Sequence, residues 1–411
     1  MNYAAPSPHA VLFALITVFL DMVGFGIIMP VLPQLIEDVG HIDLAGASII
    51  GGWMFVAFSL AQFICSPIAG NLSDRYGRRP LLLLAIFGLG LDFLFCALAP
   101  TLFWLFVGRI LAGICGSSYV IANAYIADVT PPDQRAKAFG MMGAAFGVGF
   151  VLGPALGGLL GELGPRVPFF VAAGISALNL IYGFFVLPES LPPEKRRPFE
   201  WRRANPFGAL KVFRQYSGVL PLLTVLTVFF FATSVYPAIW AFWGIAKFGW
   251  SAALVGLTLA AFGIVTALFQ GFLTGPAVAR FGEWRVALIG LVAAAAVLAG
   301  YGMVTSLTGV LILLILHGPE GFVHPMLTAM MSKAVPDDAQ GELQGGISAV
   351  TNLAMLFGTL IFAQVFGRFM AEDAAFRSPD VAYYLASAIL FVTLILFLLL
   401  VRRPAAVASQ A

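Results

Sequence analysis

The chain is a succession of long apolar runs separated by short polar breaks. The apolar residues in each run go all the way round a helix, so the runs do not read as amphipathic helices of a soluble domain. Ile49 to Ala69 and Leu81 to Leu98 are typical, each about long enough to cross ~30 Å of hydrocarbon. Twelve spans are predicted, near 9–36, 45–70, 80–98, 101–128, 137–160, 167–188, 217–243, 251–275, 285–304, 307–332, 343–367 and 380–401. Between spans two and three lies Gly70-Asn-Leu-Ser-Asp-Arg-Tyr-Gly-Arg-Arg-Pro80, which predicts a charged turn at a membrane surface. The turn recurs: Gly70, Arg75, Tyr76 and Gly77 reappear as Gly275, Arg280, Phe281 and Gly282, an offset of 205 residues. Pro132-Asp133 before Gly140 and Pro336-Asp337 before Gly345 make a second matched pair. Such pairs predict a duplicated half, an arrangement common among secondary transporters.

Composition agrees. Of 411 residues 60% are hydrophobic and 10% charged, with a mean hydropathy of +0.96, whereas soluble domains carry about 25% charge. The net charge of +2 gives no indication of a nucleic-acid partner; the partner implied is a lipid bilayer. Basic residues gather on alternate loops: Arg75, Arg78, Arg79, Arg135, Lys137, Arg280, Arg285 and Lys333. The segment between spans six and seven adds Lys195, Arg196, Arg197, Arg202, Arg203, Lys211 and Arg214, and the tail adds Arg402 and Arg403. The opposite loops hold Arg166, Lys247, Arg368 and Arg377. This bias puts both termini in the cytoplasm. The first run lacks a basic flank, is too long and carries Asp21 and Pro30, so it reads as a span and not as a cleavable signal. Cys65, Cys96 and Cys115 sit in apolar runs without metal-ligand spacing and read as small buried hydrophobes.

The organisation expected is an N-terminal six-helix bundle (1–190), a linker (191–216) and a C-terminal six-helix bundle (217–411). Pro188, Pro192, Pro193 and Pro198 stop the sixth span. Beyond these prolines, Phe207 to Phe213 reads either as a short basic amphipathic helix or as part of a solvated linker.

Ionisable groups within spans point to function. Asp21, Asp92, Arg109 and Glu320 are the candidates for proton coupling. Burial among apolar groups favours the protonated form of a carboxylate, so such an acid takes up and releases protons near neutral pH. Asp21 has only apolar residues and glycines around it; its second reading is a structural hydrogen-bond acceptor. Glu320, beside Pro319 and Gly321, lies where a broken helix would line a site. His317 and His324, at −3 and +4, share its face if the helix is regular and form either a protonation cluster or a packing group. Arg109 requires an interior partner or else snorkels to the surface. Gln62, Asn123 and Gln270 join His317 and His324 as substrate contacts, with interhelical hydrogen bonds as the other reading; the two glutamines, offset by 208, are not strict repeat mates. In span five, Gly147, Gly149, Gly153, Pro154, Gly157 and Gly158 predict a close-packed, bendable contact between the halves, with ordinary tight packing as the other reading. Asp74 is read as capping a helix N-terminus and pairing with an Arg in a neighbouring loop, a cytoplasmic latch of about 1 kcal/mol. Gly70, Asp74, Arg75, Gly77, Arg78, Arg79, Gly153 and Pro154 are thus the gating candidates.

At these residues the chain resembles the major facilitator superfamily. Gly70 to Leu81 is similar to its signature loop, Arg109 with Gly113 to its fourth-helix motif, and Gly149 to Gly158 to the fifth-helix motif of drug/proton antiporters. Leu20-Asp21-Met-Val-Gly24-Phe-Gly26-Ile-Ile-Met29-Pro30-Val-Leu-Pro33, Leu91-Asp92, Ile126-Ala-Asp128 and Gln344-Gly345 resemble the twelve-span tetracycline efflux proteins. The resemblance covers almost the whole chain. It implies an all-α fold of twelve transmembrane helices in two pseudo-symmetric bundles, in a bacterial inner membrane. It further implies export of a drug, often as a metal–tetracycline complex, against entry of a proton, with no cofactor beyond the proton motive force and a monomer as the working unit. Asp21 and Asp92 match essential acids of that family, Asp74 and Arg78 its gating loop, and Gln62 and Gln270 its polar lining. One feature departs: the ninth span, Leu291-Val-Ala-Ala-Ala-Ala-Val-Leu298, lacks the family's acid, and Glu320 stands as the candidate replacement. A sugar or metabolite transporter of the same fold, working by symport, is the alternative. An enzyme or receptor ranks behind both, because no nucleophile–base pair or metal cluster is evident.

Overall fold

A backbone in lipid must satisfy its own polar groups, and an apolar run of this length does so only as a helix. The computed structural model describes residues 8–131, 134–201, 212–336 and 339–401, and these are overwhelmingly helical. Spans two, three, five, six, eleven and twelve are the helices Leu44–Tyr76, Arg78–Leu98, Arg135–Gly161, Val167–Val186, Gln340–Met370 and Val381–Leu400. Spans eight and nine run together from Ala252 to Met303. Those 52 residues would be about 78 Å long, more than twice the hydrocarbon thickness, and they part at Gly282, whose φ is 76°. The crossings among the described residues therefore number twelve.

The remaining spans are interrupted. Span one is Pro8–Ile28 followed by Leu32–Gly40; the predicted single span breaks around Pro30, which has no N–H to continue the ladder. Span four is Leu102–Cys115 and Ser118–Val129, parted at Gly116-Ser117. Span seven is Leu220–Thr233 and Val235–Phe248. Span eight holds a π-helical turn at Phe269–Leu273. Span ten is Leu307–Leu316 and Val323–Ser332, joined by the tight 3₁₀ segment Gly318–Phe322.

The charged stretch from Gly70 to Pro80 is not the loop that its polarity predicts. The second span stays helical through Tyr76, so Gly70, Asp74 and Arg75 lie on its last turns, and Gly77 alone reverses the backbone with φ 106°. Asp74 therefore caps no helix N-terminus, and the Arg it pairs with is Arg78 of the same hairpin, not one in a neighbouring loop. Gly282 does in the second half what Gly77 does in the first, at the predicted offset. The positions Pro132, Asp133 and Asp337, residues 207–211 of the expected amphipathic helix, and Arg202, Arg203, Arg402 and Arg403 lie outside the described residues; Val212–Gln215 form a single helical turn.

The two bundles meet on the face away from the charged hairpins. Span two packs on span eleven there: a Cβ at Gly52 would lie 2.6 Å from Ala363 Cβ, and one at Gly367 2.8 Å from the Ala45 carbonyl. Ser48 Oγ donates to the Ala363 carbonyl at 3.4 Å. Span five packs on span eight through Gly158 against Ala252, Gly256 against Pro154, and Gly263 against Val151. Glu162 closes this seam by accepting from the Ala253 N–H at 2.9 Å. Toward the charged face the halves part: Gly140, Gly143, Gly147, Gly271, Gly275 and Gly341 would each accept a Cβ with nothing described within 4 Å. The central space thus opens to the charged face and is shut on the far one.

Candidate functional site

The breaks in spans four and ten hold the polar groups. In a helix, the carbonyls at an interruption lose their i+4 partners and accept other donors. Gln62 Nε2 donates to the Gly116 carbonyl at 3.3 Å, and Gln270 Nε2 to the Gly321 carbonyl at 3.3 Å. The acceptors differ by the repeat offset of 205 although the glutamines differ by 208, so the two do equivalent work after all. The π-helical turn at Phe269–Leu273, absent from span two, re-aims the second glutamine.

Asp21, half-buried, accepts from Ser118 Oγ at 2.6 Å, at the start of the second segment of span four. Asp92 is completely buried and receives Arg109 Nη2 on both oxygens, at 3.1 and 2.8 Å. Arg109 thus has its interior partner and does not snorkel. Cys96 is more than the inert hydrophobe expected: its thiol donates to Asp92 Oδ1 at 3.4 Å and its sulfur accepts from Arg109 at 3.3 Å. Asn123 spends a donor on its own helix, bonding the Tyr119 carbonyl at 2.9 Å.

In the C-terminal half, Glu320 is buried, accepts from Tyr236 Oη at 3.1 Å and lies 3.2 Å from His317 Nε2. His324 does not join them. It is exposed and sits edge-on to Phe230, with ring centroids 5.4 Å apart. The intervening 3₁₀ turn explains both outcomes, because at three residues per turn the −3 neighbour eclipses Glu320 while the +4 neighbour rotates away. The ninth span packs against this segment: a Cβ at Gly290 would lie 2.8 Å from the Pro319 carbonyl.

Between the halves lies a cavity lined by Phe25, Phe55, Phe58, Tyr236, Trp240 and Phe242, with Arg109 contributing its charge. The structure therefore brings Arg109, fixed by Asp92, and Tyr236, bound to Glu320, to one chamber. Asp21 lies one helical turn from the lining residue Phe25. Sequence reasoning missed Tyr236 and Ser118; the signals were a hydroxyl-bearing aromatic in an otherwise apolar stretch and the Gly116-Ser117-Ser118 break.

At the charged face, Arg78 reaches Asp74 at 2.6 Å, Ser73 Oγ at 2.6 Å and Asp128 at 3.1 Å. The repeat reproduces the last pair with its charges exchanged: Glu283 pairs with Lys333 at 2.7 Å, each 205 residues on. Glu189 accepts from the N–H groups of Arg78, Ser190 and Leu191, at 2.9, 3.0 and 3.0 Å. Its carboxylate fills the space a Cβ at Gly77 would need. The Arg197 N–H donates to the Asp74 carbonyl at 3.1 Å, and Asn71 to the Glu200 carbonyl at 2.7 Å. The linker as far as residue 201 is thus docked on the hairpin and is not a plain solvated tether. Arg75 stays outside the network, exposed over the Tyr76 ring, and Arg79 bonds the Phe184 carbonyl at 2.6 Å. Gly153 faces span one, within its own half, 2.7 Å from the Val23 carbonyl for an added Cβ, while the Pro154 carbonyl faces Gly256 of the other half.

The family model for the Major Facilitator Superfamily matches residues 14–244 and 228–411, which together cover nearly the whole chain. The chain belongs to the major facilitator superfamily. It is a multi-pass membrane transporter and not an enzyme. It is 42% identical over 363 residues to a class C tetracycline resistance protein from Escherichia coli, covering 88% of this chain and 90% of that one. A class B tetracycline resistance protein, also from Escherichia coli, is 33% identical, covering 86% and 87%. Multidrug resistance protein 2 of Bacillus subtilis (strain 168) is 30% identical, covering 83% and 84%. Among solved structures, the human organic anion transporter MFSD10 (TETRAN) superposes with a TM-score of 0.69 at 24% identity, over 95% of this chain and 99% of that one. The nucleoside transporter NupG does so at 0.75 and 14% identity, over 96% and 99%, a likeness of fold alone.

Proposed function

We propose that this transporter exports a tetracycline-type drug from the cytoplasm in exchange for protons, by alternating access across a bacterial inner membrane. The observation that carries the reading is Glu320, a buried acid hydrogen-bonded to the cavity-lining Tyr236 and paired with His317 at the break in span ten. It is the candidate replacement for the acid that the ninth span lacks. A proton added to Glu320 removes its charge from the Tyr236–His317 group and changes the affinity of the cavity for cargo. A proton or ligand shifts the two states only through such a difference. Asp21, with Ser118 as its partner, is the second proton-accepting group. Asp92 acts differently: held on two oxygens by Arg109, it fixes that guanidinium at the cavity wall, where it meets the oxygen-rich edge of the drug. The aromatic faces suit a flat polycyclic cargo and offer few donors or acceptors for a sugar, which disfavours the metabolite reading. A divalent ion enters, on this reading, as part of the drug complex and not as a resident of the protein.

The charged face is the cytoplasmic one, and both termini lie there. The conformation described is then inward-open, ready for cargo. The halves 1–190 and 217–411 rock about the central space, with 191–216 joining them. A monomer suffices, because the cavity is complete within one chain. The test is proton release on drug addition to acid-loaded inverted vesicles. Release is expected from the native protein and not from Glu320→Gln, whose drug exchange without a gradient persists. Native-like proton release by Glu320→Gln sinks the assignment.

A further inference from the structure

On the extracytoplasmic side of Glu320, Tyr301 Oη, Tyr383 Oη and His317 Nδ1 are buried and meet no hydrogen-bonding group among the described residues. A buried polar group left unpaired costs about 1–3 kcal/mol, and folded proteins usually meet such groups with ordered water. These three are neighbours. The Tyr301 ring lies 6.2 Å from that of Tyr236, 6.3 Å from that of His317 and 5.7 Å from that of Tyr383. The Tyr383 ring is 5.0 Å from that of Trp243, whose Nε1 donates to Asp380 Oδ1 at 2.8 Å. Asp380 also pairs with Lys247 at 2.8 Å, and both are mostly buried near the outer end of the bundle. A line of polar groups therefore leads from the cavity acid to the outer surface through an otherwise aromatic core.

The line has a workable length. Tyr236 and Lys247 are eleven residues apart on span seven, about 16 Å along a helix. Roughly six hydrogen bonds of ~2.8 Å cover that distance. The hydroxyls of Tyr236, Tyr301 and Tyr383 supply about half of the relay points and bridging waters the rest.

We propose that Tyr383 and Tyr301 form a proton relay through the C-terminal bundle, joining the outer surface at Asp380–Lys247 to Glu320. This rests on Glu320 being the coupling acid. Each hydroxyl oxygen gains a proton from the outer side as its own O–H bond breaks toward the inner side. The net change is one new O–H bond on the Glu320 carboxyl and one proton lost from the outer water. The Lys247 ammonium, held by Asp380, by the Gly302 carbonyl at 3.0 Å and over the Trp243 ring, keeps the mouth shut to an arriving proton in the inward-open state. Without that barrier the relay would leak while the cavity faces the cytoplasm.

The experiment uses the full chain in proteoliposomes, with a pH-sensitive dye inside, and compares Tyr301→Phe, Tyr383→Phe, their combination, Glu320→Gln and Lys247→Met. The double Phe variant keeps its rings and its packing. It is expected to slow proton-driven tetracycline transport roughly tenfold or more, with drug exchange in the absence of a gradient unchanged. Lys247→Met is expected to raise proton leak in drug-free vesicles, a second readout independent of the Phe variants. An unchanged proton-driven rate in the double variant, with Glu320→Gln uncoupled, overturns the relay and leaves the coupling acid in place. A leak no greater than native in Lys247→Met overturns the gate. If Glu320→Gln remains proton-coupled, the coupling assignment falls, and the relay ending there falls with it.

Discussion

A methyl group added at Gly256 has nowhere to go while the far face is closed. Its Cβ would fall on the Pro154 carbonyl oxygen and 3.1 Å from Gly158 Cα; one at Gly158 would fall on the Ala252 carbonyl and 3.0 Å from Ala253 Cα. The obstructing atoms are backbone of the opposite half, so no rotamer change removes them. The helices must separate by about an ångström to reach ordinary contact distance. Overpacking of this kind costs about 1–3 kcal/mol. The contact between halves on this face exists only while the face is closed, so the cost falls on that state and moves the equilibrium toward the state open on this face by roughly 5–150-fold. Spin labels at Leu163 and Phe376, which are 75% and 65% exposed on loops of the two halves away from the charged hairpins, report the change as a distance distribution. Gly256→Ala should add a longer-distance population. Gly140→Ala, with nothing within 4 Å, should not, and Gly153→Ala, which strains span one within its own half, should lower thermal stability without moving the distance. A folded Gly256→Ala protein with the native distribution would refute the claim that this small-residue seam sets the closed state.

Arg109→Met leaves the fully buried Asp92 without its partner, at a cost of about 3–5 kcal/mol. Thermal unfolding in detergent should show the loss and its recovery on adding Asp92→Leu; an unchanged midpoint contradicts the pairing. Gly77→Ala should destabilise more than Gly282→Ala, by proteolysis in detergent, because both have positive φ but only Gly77 faces a side chain in the space needed; equal effects argue against the role given to Glu189. Glu162 is held below the usual glutamate range by the Ala253 N–H and then the Ser251 hydroxyl. A lowered folded-state value means that its closing contribution is complete above the ordinary value, about 4.3, and fades as pH falls through the lowered one. Glu162→Ala should therefore lengthen the Leu163–Phe376 distance at neutral pH. A native seam that loosens between roughly pH 7 and 5 contradicts this assignment.

The amino-acid sequence by itself determined the spans, their number and the duplication. Each helix in lipid satisfies its backbone internally, so its existence depends only on local composition. The turn glycines Gly77 and Gly282 were legible from the repeat offset, and the burial of ionisable groups such as Asp92 and Glu320 from the apolar runs around them. Tertiary structure decided which faces meet. A run that is apolar all round carries no periodicity from which its packed side can be read. Arg109's choice of Asp92, the capture of Glu320 by Tyr236, and the division of span five into a face toward span one and another toward span eight therefore waited on packing. Local breaks made the remaining difference. One 3₁₀ turn kept His317 beside Glu320 and sent His324 away, and one π turn aimed Gln270 at the carbonyl equivalent to the one that Gln62 meets. Spacing along the chain becomes a direction in space only when the helix type is known, and here that was settled by contacts between residues distant in sequence.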